Sequence, residues 1–258
     1  MNPFQFIERF IEDGVGVILL NRPKQLNALN RKMVSEIVMA LEEFDQNGEV
    51  VSILVTGNGR AFSAGADIDE MSETDSIQME LLNQFADWDR ISLIKKPIIG
   101  ALKGFVFGGG FELALSFDIL IAANGTQFSF PEVQLGVMPG AGGTQRLTKI
   151  VGRAKALEWI WTGDRIPVET ALAYGIINTI VSEELLKEES MKLAKRLAKQ
   201  PPLALRLIKD SINKAVDYSL YEGMQYERKN FYLLFSSQDQ KEGMQAFIEK
   251  RKAEFKGK

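Results

Sequence analysis

The chain contains no cysteine and no histidine among its 258 residues. The first absence removes disulfides, thiolate nucleophiles and cysteine metal sites. The second removes the commonest general base, the Ser-His arrangement and the commonest metal ligand. Acid–base chemistry without a metal must therefore come from Asp, Glu, Lys or Tyr, and no metal site is expected. Long apolar runs are also missing: none is long enough to span a bilayer, and the start Met1-Asn2-Pro3-Phe4-Gln5 lacks a basic stretch followed by an apolar one. A cytoplasmic protein with no membrane partner is the expectation. A net charge of −3 gives no bulk electrostatic support for nucleic acid as a partner.

What is present fits one large domain, or a main domain with an appendage. With 45% hydrophobic and 25% charged residues, the chain can bury a sizeable core. Short branched runs at 16–20, 50–56, 98–102, 118–123 and 176–181 read as buried strands. Asn30 is placed to cap a helix whose Met33, Ile37, Leu41 and Phe44 recur at helical spacing, with Asn47-Gly48 ending it. A polar, mobile loop is expected over 71–76, then a helix over 78–93, and an extended segment over 128–133. After short helices at 154–161 and 168–174, longer ones are expected at 183–199, 203–216, 220–235 and 238–255. Pro201-Pro202 marks the clearest break. The pattern predicts an α/β core over 1–200 and an α-helical region over 201–258.

Glycine clusters carry the functional signal. Gly108-Gly109-Gly110 lies in apolar sequence, where three adjacent glycines are entropically costly. The triplet reads either as a tight strand-to-helix turn or as an anion or oxyanion site built from unpaired N–H groups at a helix start. The dinucleotide fingerprint fails, because its third glycine is Leu113 in one cluster and Gln145 in the other, and no P-loop Gly-Lys-Ser/Thr occurs. Glu112 sits between Phe111 and Leu113, where a carboxylate needs a partner or a task, although dipole stabilisation in a first helical turn also accounts for it. Glu132 follows twenty residues later, behind Pro131. It reads as a surface glutamate at a turn or as the second carboxylate of a semi-buried pair, in which at least one pKa rises. Ala64-Gly65-Ala66-Asp67-Ile68 offers a second loop of small residues and a second N–H donor.

Taken in order, Arg22-Pro23-Lys24 with Asn27-Ala28-Leu29, Ala64-Gly65-Ala66-Asp67-Ile68, Gly108-Gly109-Gly110-Phe111-Glu112, Pro131-Glu132 and Pro139-Gly140-Ala141-Gly142-Gly143-Thr144-Gln145-Arg146-Leu147 resemble the crotonase (enoyl-CoA hydratase/isomerase) superfamily over essentially the whole chain. The resemblance implies an α/β fold, a crotonase-like spiral of ββα units, with an α-helical C-terminal region at 201–258 that builds a homotrimer or a homohexamer (a dimer of trimers). It implies an oxyanion hole from the N–H groups of Ala66 and Gly109, gripping the thioester carbonyl of an acyl-CoA. Glu112 then orients and deprotonates water, Glu132 exchanges the proton at the α-carbon, and Gly140 helps to hold the water.

For coenzyme A, the resemblance points to Ala64, Ala66, Asp67, Ile68 and Gly109, to Lys24 near the nucleotide, and to Phe247 and Lys250 of a neighbouring subunit near the phosphates. Segment 241–258 carries six Lys/Arg against three Glu, which fits such a contact and equally fits a solvated helical end. Met71, Met79 and Phe85 are candidates for the acyl pocket, with core packing the better reading for Met79 and Phe85. The expected function is reversible hydration of a trans-2-enoyl-CoA to a 3-hydroxyacyl-CoA in fatty acid or related acyl-CoA degradation. No cofactor is implied, since coenzyme A is part of the substrate. The rivals are a Δ3-Δ2-enoyl-CoA isomerase, a branched-chain (methylglutaconyl-type) hydratase and, in another class, a non-catalytic acyl-CoA-binding or RNA-binding scaffold.

Overall fold

A computed structural model describes residues 4–72 and 75–258. The elements in order are β1 (Ile7–Glu12), β2 (Val15–Leu20), α1 (Arg31–Gln46), β3 (Ser52–Gly57), α2 (Ser76–Leu82), α3 (Ala86–Ile91), β4 (Ile98–Leu102), β5 (Phe105–Phe107), α4 (Gly109–Leu115), β6 (Ile119–Ala123), β7 (Gln127–Ser129) and α5 (Gly143–Val151). Then come α6 (Arg153–Thr162), β8 (Ile166–Pro167), α7 (Val168–Ala173), β9 (Thr179–Val181), α8 (Leu186–Ala198), α9 (Pro202–Ala215), α10 (Leu220–Leu234) and α11 (Gln238–Ile248).

A six-stranded sheet runs β1-β2-β3-β4-β6-β9, parallel except for the β1–β2 hairpin, and a small second sheet runs β5-β7-β8. Two passes through the large sheet are each followed by a short strand in the small one: β4 leads to β5 and then α4, and β6 leads to β7. That course is the expected ββα spiral. Alternation of side chains along a strand assigns the two faces of the large sheet. Ile18, Ile53, Val55, Ile98, Leu102 and Leu120 enter the main core with α1 and α4, while Val17, Leu54, Ile99 and Ile121 pack under Leu186 and Ala194 of α8.

Local chemistry explains where the elements differ from expectation. Asn30 caps α1 as expected, its side chain accepting the Met33 N–H at 2.8 Å. The single helix expected over 78–93 is broken into α2 and α3 at Asn83, whose φ of 43° ends α2 in the left-handed region that Asn tolerates. Residues 73 and 74 of the loop expected over 71–76 lie outside the described residues. The segment after Phe130 is a 3-10 turn (Pro131–Leu135), not extended. The restriction that proline imposes falls on Phe130 before it, whereas proline itself suits a first helical position. The strand expected over 176–181 shortens to β9, because the Ile176 N–H still donates to Ala171 O at the end of α7. α11 stops at Ile248 rather than 255, since Lys250 turns left-handed (φ 56°) and the tail folds back on Glu242 and Asp239, which accept the N–H groups of Glu254, Lys256 and Gly257.

Candidate active site

The loop after β3 is fastened to the 22–29 segment. Asn27 is fully buried: its side chain accepts the Arg22 N–H and donates to Asn58 O and Ala61 O, and Ser63 Oγ donates to Asn27 O. Ala64 N donates to Leu26 O, Leu29 N to Gly65 O, and Asp67 N to Leu29 O, while Gly65 N reaches Ser63 Oγ at 3.3 Å. The Asp67 carboxylate is held by Arg22 at 2.9 Å, and Arg22 also donates to Ala28 O and lies over the Phe6 ring. One N–H of residues 64–67 is left over, that of Ala66, which has no acceptor among the described residues.

The glycine triplet approaches the same point from the other side. Gly108 adopts φ 48° and ψ −127°, a conformation that suits only glycine, and a Cβ there would stand 3.1 Å from Glu132 Oε1. Its N–H donates to Ser129 O of β7, and its carbonyl accepts from Phe111 and Glu112. Gly109 opens α4 with its N–H unpaired among the described residues. A methyl group on Gly109 would lie 3.6 Å from the Ala66 nitrogen and 3.8 Å from Trp88 Cη2, so the two free N–H groups flank one small space.

The two carboxylates have unlike surroundings. Glu112 is 4% exposed on α4, and its Oε1 accepts the Ala141 and Gly143 N–H groups at 2.7 and 2.8 Å, at the glycine turn that opens α5. Burial raises its pKa, opposed by those N–H groups and by the Arg146 charge. Glu132 is half-buried, and its Oε2 is sequestered with no hydrogen-bond partner. Burial, and secondarily the charge of Glu112, push its pKa up to about 7. The glycine motifs thus bring Glu112 and Glu132 into electrostatic range of each other.

A cavity of about 460 Å³ opens beside them, walled by Phe85 just before α3, by Trp88 and Asp89 of α3, and by Met138, Gly140 and Arg146. Gly140 is needed there for space, because a Cβ would meet the Phe85 ring at 2.7 Å. Phe85 is 39% exposed and lines this cavity, so it is not a core residue; Met71 and Met79 do not line it. Lys24 is exposed on a 3-10 turn (Pro23–Gln25), Ile68 is 49% exposed beside the loop, and Phe247 is 85% exposed at the end of α11. The Lys250 N–H donates to Phe247 O, a hydrogen bond local to the C-terminal segment. Trp88, Arg146 and the Arg22–Asn27 clamp were not singled out by sequence reasoning. Arg146 and Asn27 lie in quoted motifs, but nothing in the pattern marks their task, and Trp88 lies in no motif. Among the described residues no group of three or more acidic side chains is placed to hold a metal ion.

Two converging N–H groups beside two unlike carboxylates make a site for polarising a carbonyl and moving protons next to it. The chain belongs to the enoyl-CoA hydratase/isomerase family, which residues 10–258 match. It is 44% identical over 256 residues to the mitochondrial enoyl-CoA hydratase of Pongo abelii, covering 98% of this chain and 88% of that one. The solved structure of an enoyl-CoA hydratase subunit from Geobacillus kaustophilus HTA426 superposes with a TM-score of 0.97 at 63% identity, over 99% of both chains. That of the Bacillus anthracis enoyl-CoA hydratase gives 0.93 at 33% identity, over 98% of this chain and 100% of that one.

Proposed function

We propose that the protein is an enoyl-CoA hydratase acting by paired-carboxylate chemistry. The observation that carries this reading is the pair of unpaired N–H groups, on Ala66 and Gly109, facing one space beside Glu112 and Glu132. The thioester carbonyl of a trans-2-enoyl-CoA accepts from both N–H groups, which stabilise the enolate-like charge as water adds. Glu112, ionised, takes a proton from water as its oxygen bonds to C3. Glu132, protonated, delivers its proton to C2. The product is the 3-hydroxyacyl-CoA, with both additions on one face, and the Gly140 backbone is assigned to help hold the water. Neither cofactor nor metal takes part in this scheme. An oxyanion donor contributes about 10²–10³ in rate and a general acid or base about 10²–10⁴.

Coenzyme A is assigned to the loop at Ala64, Ala66, Asp67 and Ile68, with Lys24 near the nucleotide. Since Arg22 already holds the Asp67 carboxylate, the loop's backbone is what remains for the adenine. Residues 201–258 are assigned to oligomerisation into a trimer or a dimer of trimers. Exposed Ile212 (62%), Leu220 (81%), Tyr221 (73%), Tyr232 (66%) and Ile248 (73%) on α9, α10 and α11 support an apolar face that needs covering. In that assembly Phe247 and Lys250 reach a neighbour's coenzyme A. The proposed setting is fatty acid or related acyl-CoA degradation in the cytoplasm, a location that the similarity to bacterial relatives supports.

The test is steady-state hydration of 2-enoyl-CoA thioesters from four carbons upward, followed by loss of enoyl absorbance. Glu112→Gln should lose at least about 10²-fold in kcat while still binding acyl-CoA. Near-wild-type hydration by that variant would refute the assignment. Turnover of 3-enoyl-CoA alone would make the protein an isomerase, and binding without turnover would make it a scaffold.

A further inference from the structure

Arg146 is unusual among the cations of this chain. It lies half-buried in the first turn of α5 and lines the cavity, yet among the described residues its guanidinium has no hydrogen bond and no ion pair within 4.0 Å. Its Nη1 packs so tightly against the turn before α5 that a Cβ on Gly142 would meet it at 2.8 Å. That same turn presents the Ala141 and Gly143 N–H groups to Glu112 Oε1. The guanidinium therefore stands behind the turn that grips one catalytic carboxylate, where its charge acts through space.

The charged groups around it are few. Glu112 faces it from α4 and Asp89 from α3, and both stabilise its charge against burial. Among the described residues, Asp89 and Arg146 are the only ionisable side chains lining the cavity. Glu132 lies in the 3-10 turn after β7, and the influences on it are burial, its own N–H and Glu112, not Arg146. The turn that the cation packs against thus grips Glu112, and among the described residues it makes no hydrogen bond to the Glu132 carboxylate.

We infer that Arg146 is a positioning residue for hydration, fixing Glu112 as the member of the pair that carries the negative charge and accepts the water proton. Two neighbouring buried carboxylates resist ionising together, so which one ionises is decided by what each can lean on. Glu112 has the turn's N–H groups and Arg146, whereas Glu132 has an oxygen with no partner. Removing the cation narrows that difference and leaves a larger share of enzyme with the proton on the wrong carboxylate. Asp89 is the counterweight, drawing on the same guanidinium from α3.

This inference rests on the assignment of Glu112 as base, and the experiment separates the two. The full chain and its Arg146→Gln, Arg146→Lys, Asp89→Asn and Glu112→Gln variants are assayed for kcat/KM and kcat on a four-carbon 2-enoyl-CoA between pH 5 and 9. A nearby cation lowers a carboxyl pKa by 1–3 units, and with no contact inside 4.0 Å the low end applies, so Arg146→Gln should move the acid limb up by about one pH unit. Below that limb kcat/KM falls about tenfold, while KM at the optimum stays within about threefold. Arg146→Lys restores the limb, and Asp89→Asn moves it the opposite way. A limb that stays put in Arg146→Gln, a loss uniform across pH, or no rescue by Lys overturns the inference. If Arg146→Gln does not fold, the Lys and Asp89 variants decide by the same shifts. Glu112→Gln retaining hydration would instead remove the base assignment itself.

Discussion

Replacing Glu132 by Gln should make the protein less active and, at alkaline pH, comparatively more stable. The native state holds this carboxyl's proton more tightly than the unfolded chain does, with a pKa of about 7 against an ordinary 4.5. Its contribution to stability is therefore full below about pH 4.5 and is lost as pH rises through about 7. The whole displacement is worth at most about 3 kcal/mol, and partial solvent exposure of the side chain reduces that to about 1–2 kcal/mol. Gln brings a local cost of its own, because its amide faces the position where Oε2 has no partner. That cost is the same at every pH and cancels in the comparison. Urea unfolding of wild type and variant at pH 5 and pH 8, at one protein concentration so that association does not intrude, should show the variant gaining about 1–2 kcal/mol on wild type between the two. Hydration should be lost by about 10²–10⁴ at both. An unchanged stability difference, or wild type gaining on the variant as pH rises, would show that the carboxyl is not held neutral by its surroundings.

Gly109→Ala should fold, since its new methyl meets nothing nearer than 3.6 Å, yet lose about 10²–10³ in kcat by filling the space between the N–H groups. Gly110→Ala should instead lower soluble yield and thermal stability, because its methyl would meet Ser63 at 2.6 Å. Asn27→Ala leaves three backbone groups unpaired in a buried left-handed position and should cost about 3–4 kcal/mol in urea unfolding. Arg22→Ala and Asp67→Ala should each lower kcat more than they raise KM, and a double-mutant cycle on kcat should be non-additive because the two side chains share one ion pair.

The strands that sequence reveals are the ones buried on both faces. β2, β3, β4 and β6 are continuous apolar runs because helices or loops cover each side of the sheet. β1 is an edge strand with Glu8 and Glu12 turned to solvent, and its apolar alternation is too weak to announce it. β5, β7 and β8 have two or three residues each and exist only because the spiral brings them side by side. At the site, both glutamates and both loops sit in motifs whose glycines signal close approach. The Phe85 and Trp88 wall carries no such signal: α3 is a short polar helix whose place over Gly109 and Gly140 is fixed by tertiary packing alone. The task of Arg146 was hidden for a related reason, since a charge acting through space leaves no spacing to read.

The free N–H groups explain why the surrounding loops are so heavily bonded. A buried donor without a partner costs about 1–3 kcal/mol, and a flexible loop would relax to satisfy it. Here relaxation is blocked on both sides. Ala64 and Asp67 are committed to Leu26 and Leu29, the Gly65 carbonyl to Leu29, and Arg22 pins Asp67. Across the gap, Gly108 is tied to Ser129, Phe111 and Glu112 in a conformation that only glycine adopts without strain. Bonds at every neighbouring position leave Ala66 and Gly109 no acceptor to turn toward, so their dipoles are already aimed before a carbonyl arrives. The same logic covers Glu132 Oε2, an acceptor kept unpaired by position, whose carboxyl has its pKa pushed up to about 7 and so keeps its proton to far higher pH than an ordinary glutamate. Glu112, fed by two N–H groups, is its opposite. The chemistry follows from which polar groups this fold satisfies and which it leaves wanting.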